Sequence, residues 1–169
     1  QARAKAFPET FPGRVAEWTG VDAERVHAVE IDEAPDWQGK PDAVLTFRGM
    51  HGLAREDLAD ETIAHFYGLL KPGGLVGVVQ HRASEDAPYD YPRGHNGYLK
   101  QSEVIAMFES EGFELVKDAD INANPKDTAD HDGGVWSLPP TLRHGDKDKD
   151  RYLAIGESDR MTLVFRKPV

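Results

Sequence analysis

Histidine and arginine side chains follow two short apolar stretches of this chain, and they are the groups best suited to acid–base chemistry and to anion binding. Arg48 and His51 come after the first stretch, and His81 and Arg82 come directly after the second. A histidine near neutrality can take a proton from a substrate. An arginine can hold a carboxylate or phosphate through two hydrogen bonds. We therefore predict His51 and His81 as catalytic residues, and Arg48 and Arg82 as substrate-binding residues.

Further polar and aromatic side chains lie in the two longer polar stretches that follow. The additional predicted substrate-binding residues are His95, Asn96, Tyr98, Asn122, Asn124 and Trp136. Trp136 would cover an apolar or aromatic substrate, or it would pack in the protein interior. The histidines show none of the tight spacing typical of metal ligands, so we predict no metal site.

A helix, a glycine turn and a strand must position His81 and Arg82. Apolar residues at a spacing of three to four predict an amphipathic helix over Leu58–Leu70. Lys71 favours the end of that helix, Pro72 stops it, and two glycines allow a tight turn. The apolar run Leu75–Gln80 then predicts a buried parallel strand. Together these elements indicate an α/β fold.

The remaining elements follow from the same patterns. Predicted helices cover Phe11–Thr19, Glu103–Ser110 and Arg151–Ile155, and predicted strands cover Arg25–Ile31, Ala43–Phe47, Phe113–Asp118 and Arg160–Arg166. Residues Arg48–Asp57 are predicted as a loop. We expect one domain over residues 1–169. The stretch 119–157, long for a connection between strands, is predicted as a lid inserted between the last two strands.

At this point the chain resembles the C-terminal two thirds of a class I S-adenosylmethionine-dependent methyltransferase. The resemblance is carried by Asp42-Ala43-Val44-Leu45, Leu70-Lys71-Pro72-Gly73-Gly74, the helix and strand Val104–Val116, and the final strand Met161–Pro168. More narrowly, His81-Arg82-Ala83 and Asn122-Ala123-Asn124-Pro125 are similar to motifs of a group of bacterial predicted methyltransferases of undefined substrate.

The resemblance implies a Rossmann-like methyltransferase fold, a mostly parallel sheet with an antiparallel last strand and the order 3-2-1-4-5-7-6. It implies S-adenosylmethionine as cofactor, a small-molecule acceptor, and cofactor contacts from Asp32, Phe47 and Arg48. In such a sheet the ligands bind beyond the carboxyl ends of the strands. The predicted site residues follow the strands at that edge.

One departure from the family concerns its glycine-rich loop, because no G-x-G-x-x-G motif or near variant occurs in this sequence. The first two family strands have no counterpart either. We therefore expect the chain to be part of a longer enzyme and to be inactive alone. The alternative is a non-catalytic methyltransferase-like module that binds a ligand or protein. A nicotinamide-dependent enzyme is a third reading, which no fingerprint supports.

Composition excludes several classes of partner. The formal net charge is −10 and the pI is about 5.1, which argues against nucleic-acid binding. No run approaches the roughly 18 apolar residues that a membrane helix needs. There is no cysteine, which rules out disulfides and thiolate chemistry but leaves the compartment open. A cytoplasmic protein is favoured, with an exported one as the alternative if a signal peptide precedes this chain.

Overall fold

The computed structural model describes residues 7–29, 34–88 and 94–169, and these divide into two compact units, one ending at Trp37 and one beginning at Gln38. In the first unit, helix α1 spans Phe7–Thr19 and short 3-10 turns span Ala23–Arg25 and Pro35–Trp37. The predicted strand over Arg25–Ile31 is wrong for its described residues 25–29, because a strand needs a neighbouring strand and none occurs in the described part of this unit. Ile31 and Asp32 lie outside the described residues.

A mixed sheet forms the centre of the second unit. Strands β1 (Ala43–Phe47), β2 (Leu75–Ala83), β4 (Glu114–Asp118) and β5 (Arg160–Arg166) lie in the order β1-β2-β5-β4. Strand β1 is parallel to β2, whereas β5 is antiparallel to both of its neighbours. The short β3 (Leu99–Lys100) pairs in parallel with the end of β2. In the strand numbering of the family that the chain resembles, this is the order 4-5-7-6, as the resemblance implies.

The predicted glycine turn joins helix α3 (Ala59–Leu69) to β2. Gly73 has a φ of 77°, and a Cβ at Gly74 would lie 2.9 Å from the backbone oxygen of Lys71, so both positions need glycine. The Lys71 ammonium pairs with Asp42, while Lys167 donates to the carbonyls of Tyr67 and Leu70 at the helix end. The cation at this helix terminus is therefore Lys167.

Helices α3 and α4 (Gln101–Ser110) contribute most of the helical part of the core. The Phe108 ring stacks on Phe165 of β5 with centroids 4.3 Å apart, and both side chains are fully buried. Ile63 of α3 is also fully buried, as predicted, whereas Leu58 lies before the helix and is 46% exposed. Burying each such aromatic or aliphatic side chain contributes about 1.5–3 kcal/mol.

Two further helices belong to the second unit. Helix α2 (Met50–Arg55) replaces the loop predicted over Arg48–Asp57. Its six residues are too few for a helical period to be recognised, and two glycines in this region suggest a loop. Helix α5 (Lys149–Ile155) contains the helical piece predicted within stretch 119–157. No helix in the described ranges is long and apolar enough to span a membrane.

Candidate active site

A cavity of about 300 Å³ opens where the carboxyl ends of β1 and β2 meet the beginning of β5. Because β5 runs antiparallel, its first residues lie at the same edge as the last residues of its parallel neighbours. The lining residues are Phe47, Arg48, His51, His81, Val135, Trp136, Pro139, Pro140, Thr141, Ser158 and Arg160. The cavity therefore combines two strand ends, helix α2 and the stretch 119–157.

His81 lies within β2 and is 8% exposed. Its Nδ1 is 2.6 Å from Oγ of Ser158, which is also buried. Burial lowers the pKa of His81 to about 4. Nearby positive charge acts in the same direction and comes from His51, when it is protonated, and from Arg160 and Arg48. The imidazole is therefore neutral at pH 7, so it is a weak base and serves there as a hydrogen-bonding group.

His51, in α2, has its ring centroid 5.9 Å from that of His81. Its Nδ1 is 3.3 Å from Oε1 of the fully buried Gln80. The Gln80 amide nitrogen donates to the carbonyls of Gly97 at 2.8 Å and His81 at 3.3 Å, so its oxygen must face His51. The Nδ1–H group of His51 thus donates a hydrogen bond to Oε1 of Gln80, and Nε2 is left as the acceptor.

Partial burial also lowers the pKa of His51, whereas the hydrogen bond between its ring and Gln80 acts to raise that pKa. A neutral imidazole with a fixed Nδ1 proton can accept a proton only at Nε2. His51 is therefore the side chain of this cavity best arranged to act as a general base.

Among the described residues, the side chains of fixed charge that line the cavity are positive, and the carboxylate of Glu157 lies near them outside the lining. Arg48 and Arg160 line it, and its lining includes no aspartate or glutamate, although the chain has 30 acidic residues. Arg160 forms an ion pair with Glu157, whose pKa is lowered by that bond. Glu157 instead lines an adjoining pocket of about 390 Å³, which shares Phe47, Arg48 and Arg160 with the cavity. The site is thus suited to a negatively charged group.

Trp136 forms one wall through close contacts between two loops. A Cβ at Gly97 would lie 2.3 Å from the Val135 side chain, so only glycine lets the loop before β3 approach this closely. The Val135 amide donates to the carbonyl of Asn96 at 2.9 Å. The guanidinium of Arg143 lies 4.7 Å from the centre of the Trp136 ring. These contacts hold the indole beside His51, with ring centroids 5.9 Å apart.

A buried carboxylate, Asp127, attaches the stretch 119–157 to the sheet. Its side chain is fully buried and accepts hydrogen bonds from the Tyr98 hydroxyl at 3.0 Å and from the backbone amide of Asp159 at 2.8 Å. It also accepts from the Ala129 amide and from Nε2 of His131. Nδ1 of His131 is buried without a hydrogen-bond partner in the described part of the chain. The base of this stretch is therefore tied to the body of the unit.

The structure brings some predicted site residues together at the cavity. Those that line it are Phe47, Arg48, His51, His81 and Trp136. Asn122 lines the adjoining pocket, where its side chain donates to the Thr162 hydroxyl at 2.8 Å.

The other predicted residues are placed elsewhere. Arg82 donates to both carboxylate oxygens of Asp159, at 2.8 and 3.0 Å, which raises its pKa. Asn124 donates to the carbonyls of Ile155 and Glu157. Tyr98 is buried with its hydroxyl on Asp127, and neither the exposed His95 nor Asn96 lines the cavity.

Sequence reasoning missed Thr141, Ser158 and Arg160 among the lining residues. Ser158 precedes the predicted strand Arg160–Arg166, and Arg160 is its first residue. In the family that the chain resembles this strand is antiparallel, and that direction was the signal that could have placed both residues at this edge. Among the described residues, no group of three or more histidine, aspartate or glutamate side chains is arranged to hold a metal ion.

Solved structures identify the class of fold. No protein-family model matches the sequence, and no curated protein matches it. The [4+2]-cyclase SpnF is similar with a TM-score of 0.60 and 19% identity over 93% of this chain and 61% of that chain. A Burkholderia thailandensis 1,6-didemethyltoxoflavin-N1-methyltransferase is similar with a TM-score of 0.55 and 15% identity, over 93% and 56%. A SAM-dependent methyltransferase from Methanosarcina mazei is similar with a TM-score of 0.55 and 8% identity, over 93% and 76%.

The chain therefore has the Rossmann-like fold of the class I S-adenosylmethionine-dependent methyltransferases. It spans about three fifths of the SpnF chain and of the Burkholderia chain. At these identities the likeness concerns the fold, and function must be argued from the site.

Proposed function

We propose that this protein contributes the acceptor side of an S-adenosylmethionine-dependent methyltransferase that acts on a small molecule. The observation that carries the proposal is the cavity at the carboxyl ends of β1 and β2, with Nε2 of His51 available as a proton acceptor. The Burkholderia protein of the same fold was solved with 1,6-didemethyltoxoflavin and S-adenosylhomocysteine bound. That structure holds a small acceptor together with the cofactor product, which supports neighbouring acceptor and cofactor sites here.

The cofactor's fit to this chain is partial. Phe47 is 64% exposed at the end of β1 and lines both the cavity and the adjoining pocket, as Arg48 does. An exposed aromatic ring at this edge suits contact with the adenine, and we propose Phe47 and Arg48 as cofactor-binding residues. Asp32 stays a prediction outside the described residues. No glycine-rich loop for the methionine part occurs in this sequence.

S-adenosylmethionine, when bound, supplies an electrophilic methyl group. The chain's own residues bind and orient the acceptor and handle its proton. His51 takes that proton at Nε2, and neutral His81, held by Ser158, orients a polar group of the acceptor. Val135 and Trp136 limit the access of water to the reacting atoms.

The test is calorimetric titration of S-adenosylhomocysteine into the natural full-length protein. We expect binding, weakened about 10-fold by Phe47→Ala, since contact between a base and an aromatic ring contributes about 1–3 kcal/mol. Leu153→Ala is the matched control, because Leu153 is a comparably exposed apolar side chain on α5 that does not line the cavity. A folded protein that takes up no ligand at millimolar concentration would overturn the proposal.

A second candidate is a module of the same fold that binds a ligand and performs no methyl transfer. SpnF, which has this fold, is named a [4+2]-cyclase, so the fold by itself does not imply methyl transfer. Binding of a small ligand in the cavity by a full-length protein that does not bind S-adenosylhomocysteine would favour this candidate.

A further inference from the structure

The charge of the cavity contrasts with that of the whole chain. Formal net charge is −10, yet within the part of the chain that the structure describes the only residues of fixed charge that line the cavity are Arg48 and Arg160. Arg48 forms no salt bridge with any residue of the described ranges, and the ion pair of Arg160 uses one nitrogen of a guanidinium that has five N–H donors. Glu157 offsets part of this positive charge from the adjoining pocket, and the remaining N–H donors of the two guanidinium groups can hold an anion of the ligand.

The rest of the lining favours a flat, apolar ligand body. Trp136 is held between Arg143 and the His51 ring, and Pro139 lies beside it in the lining. A volume of about 300 Å³ is at the small end of ligand sites, which have volumes of roughly 300–1,000 Å³. One aromatic ring with small substituents is a ligand of suitable size.

We propose that the acceptor bound in this cavity is a small aromatic acid, with its carboxylate on Arg48 and Arg160, its ring against Trp136 and a hydroxyl group facing His51. This proposal rests on the proposed function, because it names the substrate class of the same site. The hydroxyl proton passes to Nε2 of His51, which becomes an imidazolium, and the acceptor oxygen becomes the nucleophile.

The bound anion also affects the base. In the free cavity, burial disfavours the charged form of His51 and lowers its pKa. A carboxylate nearby stabilises the imidazolium, so the pKa of His51 rises when the acid binds. A neutral ligand of the same shape lacks this effect. The change in His51 titration therefore distinguishes an anion site from a pocket that selects shape alone.

The experiment compares 4-hydroxybenzoate with 4-hydroxybenzamide by calorimetry at pH 7 and low salt, without cofactor. The two probes differ mainly in charge. We expect the acid to bind at least about 10-fold more tightly, and we expect Arg48→Gln and Arg160→Gln each to remove most of that preference. Arg166→Gln is the matched control, because Arg166 is an exposed arginine at the far end of β5. NMR should show the pKa of His51 rising with the acid and not rising with the amide.

Equal affinity for the two probes, no effect of either cavity arginine, or no binding of the acid at millimolar concentration would each overturn the inference. Circular dichroism establishes that each variant is folded, and Arg48→Gln changes a side chain that is exposed. Acid binding by a protein that does not bind S-adenosylhomocysteine would support this inference and contradict methyl transfer. Binding of S-adenosylhomocysteine with no preference for the acid would support methyl transfer and contradict the aromatic acid as acceptor.

Discussion

Two histidines of one cavity differ in what their surroundings allow. His81 is almost fully buried within a strand, with Ser158 as its partner, whereas His51 is half-buried at the start of a helix with its tautomer set by Gln80. Burial disfavours the charged form of both rings, and most strongly for His81. We therefore propose two roles for the same residue type, a proton acceptor at His51 and a neutral orienting group at His81.

His81 should make the protein less stable in mild acid. Its pKa is about 4 in the folded state against 6.5 as the ordinary value, so the unfolded chain binds a proton that the folded chain does not. The stability that this difference provides is present above pH 6.5 and is lost as pH falls toward 4. Between pH 7 and pH 5 the loss amounts to about 2 kcal/mol.

The measurement is urea denaturation of wild type and His81→Gln at pH 7 and pH 5. The wild type should lose about 2 kcal/mol more than the variant between these pH values. Carboxylates and the other histidines remain in both proteins, so their contributions cancel in the comparison. The same loss in both proteins would show that His81 is not held neutral by burial.

Arg82 shows how a side chain predicted for substrate binding can serve the fold. Its two hydrogen bonds to Asp159 join the end of β2 to the residue before β5. The Asp159 carboxylate also accepts from the backbone amide of Asn124. We infer that Arg48 and Arg160 are the anion-binding residues, because they line the cavity and Arg82 does not.

At the scale of elements, the stretch 119–157 has little regular structure and depends on buried polar contacts. Apart from a 3-10 turn at Gly134–Ser137 and helix α5, it is irregular. Asp127 accepts from donors in three separate segments, namely Tyr98, Asp159 and the turn containing Ala129. The interpretation of the stretch as a lid stays a prediction, and any such movement would involve residues beyond this anchored base.

Asp127→Asn should destabilise the protein by about 2–4 kcal/mol, because an amide has one acceptor oxygen and leaves buried donors without a partner. The matched control is Asp132→Asn, five residues along the same stretch, where the residue is exposed and the change should be within about 0.5 kcal/mol. Urea denaturation followed by circular dichroism measures both values. Equal stability of the two variants would show that the Asp127 network does not hold this stretch.

At the scale of the whole molecule, the sheet and the large fully buried side chains belong to residues 38–169. The segment after Gln38 already contributes to this unit, since the amides of Gly39 and Lys40 donate to the carbonyls of Gly68 and Leu69. Strand β1 pairs only with β2 among the described strands, and Leu45 and Phe47 on it are each 64% exposed. These exposed apolar side chains leave this edge of the sheet open.

The polypeptide 38–169 expressed alone should fold cooperatively, because it contains its own core. We expect a single sigmoidal urea transition with a free energy of unfolding within the usual range of about 5–15 kcal/mol. Phe165→Ala in the same polypeptide is the comparison, since loss of a fully buried ring should cost about 3–5 kcal/mol. A broad, non-cooperative transition of the unmodified polypeptide would contradict the division into two units.

The sequence by itself determined the fold class, because local signals agree along the chain. The turn at Pro72, Gly73 and Gly74 lies between the end of one helix and the start of a buried strand. The positions of Arg48 and His51 followed too, since residues after parallel strands share one edge of a sheet. These features depend on residues close together in the sequence.

Only the tertiary structure decided which side chains meet. Ser158 lies 77 residues from His81 in the chain, and Arg160 reaches the cavity because β5 runs antiparallel to β2. Arg82, next to His81 in sequence, is instead bound to Asp159. Burial and partner choice depend on contacts between distant segments, so local sequence patterns could not separate the roles of His51 and His81 or assign Arg82 to the fold.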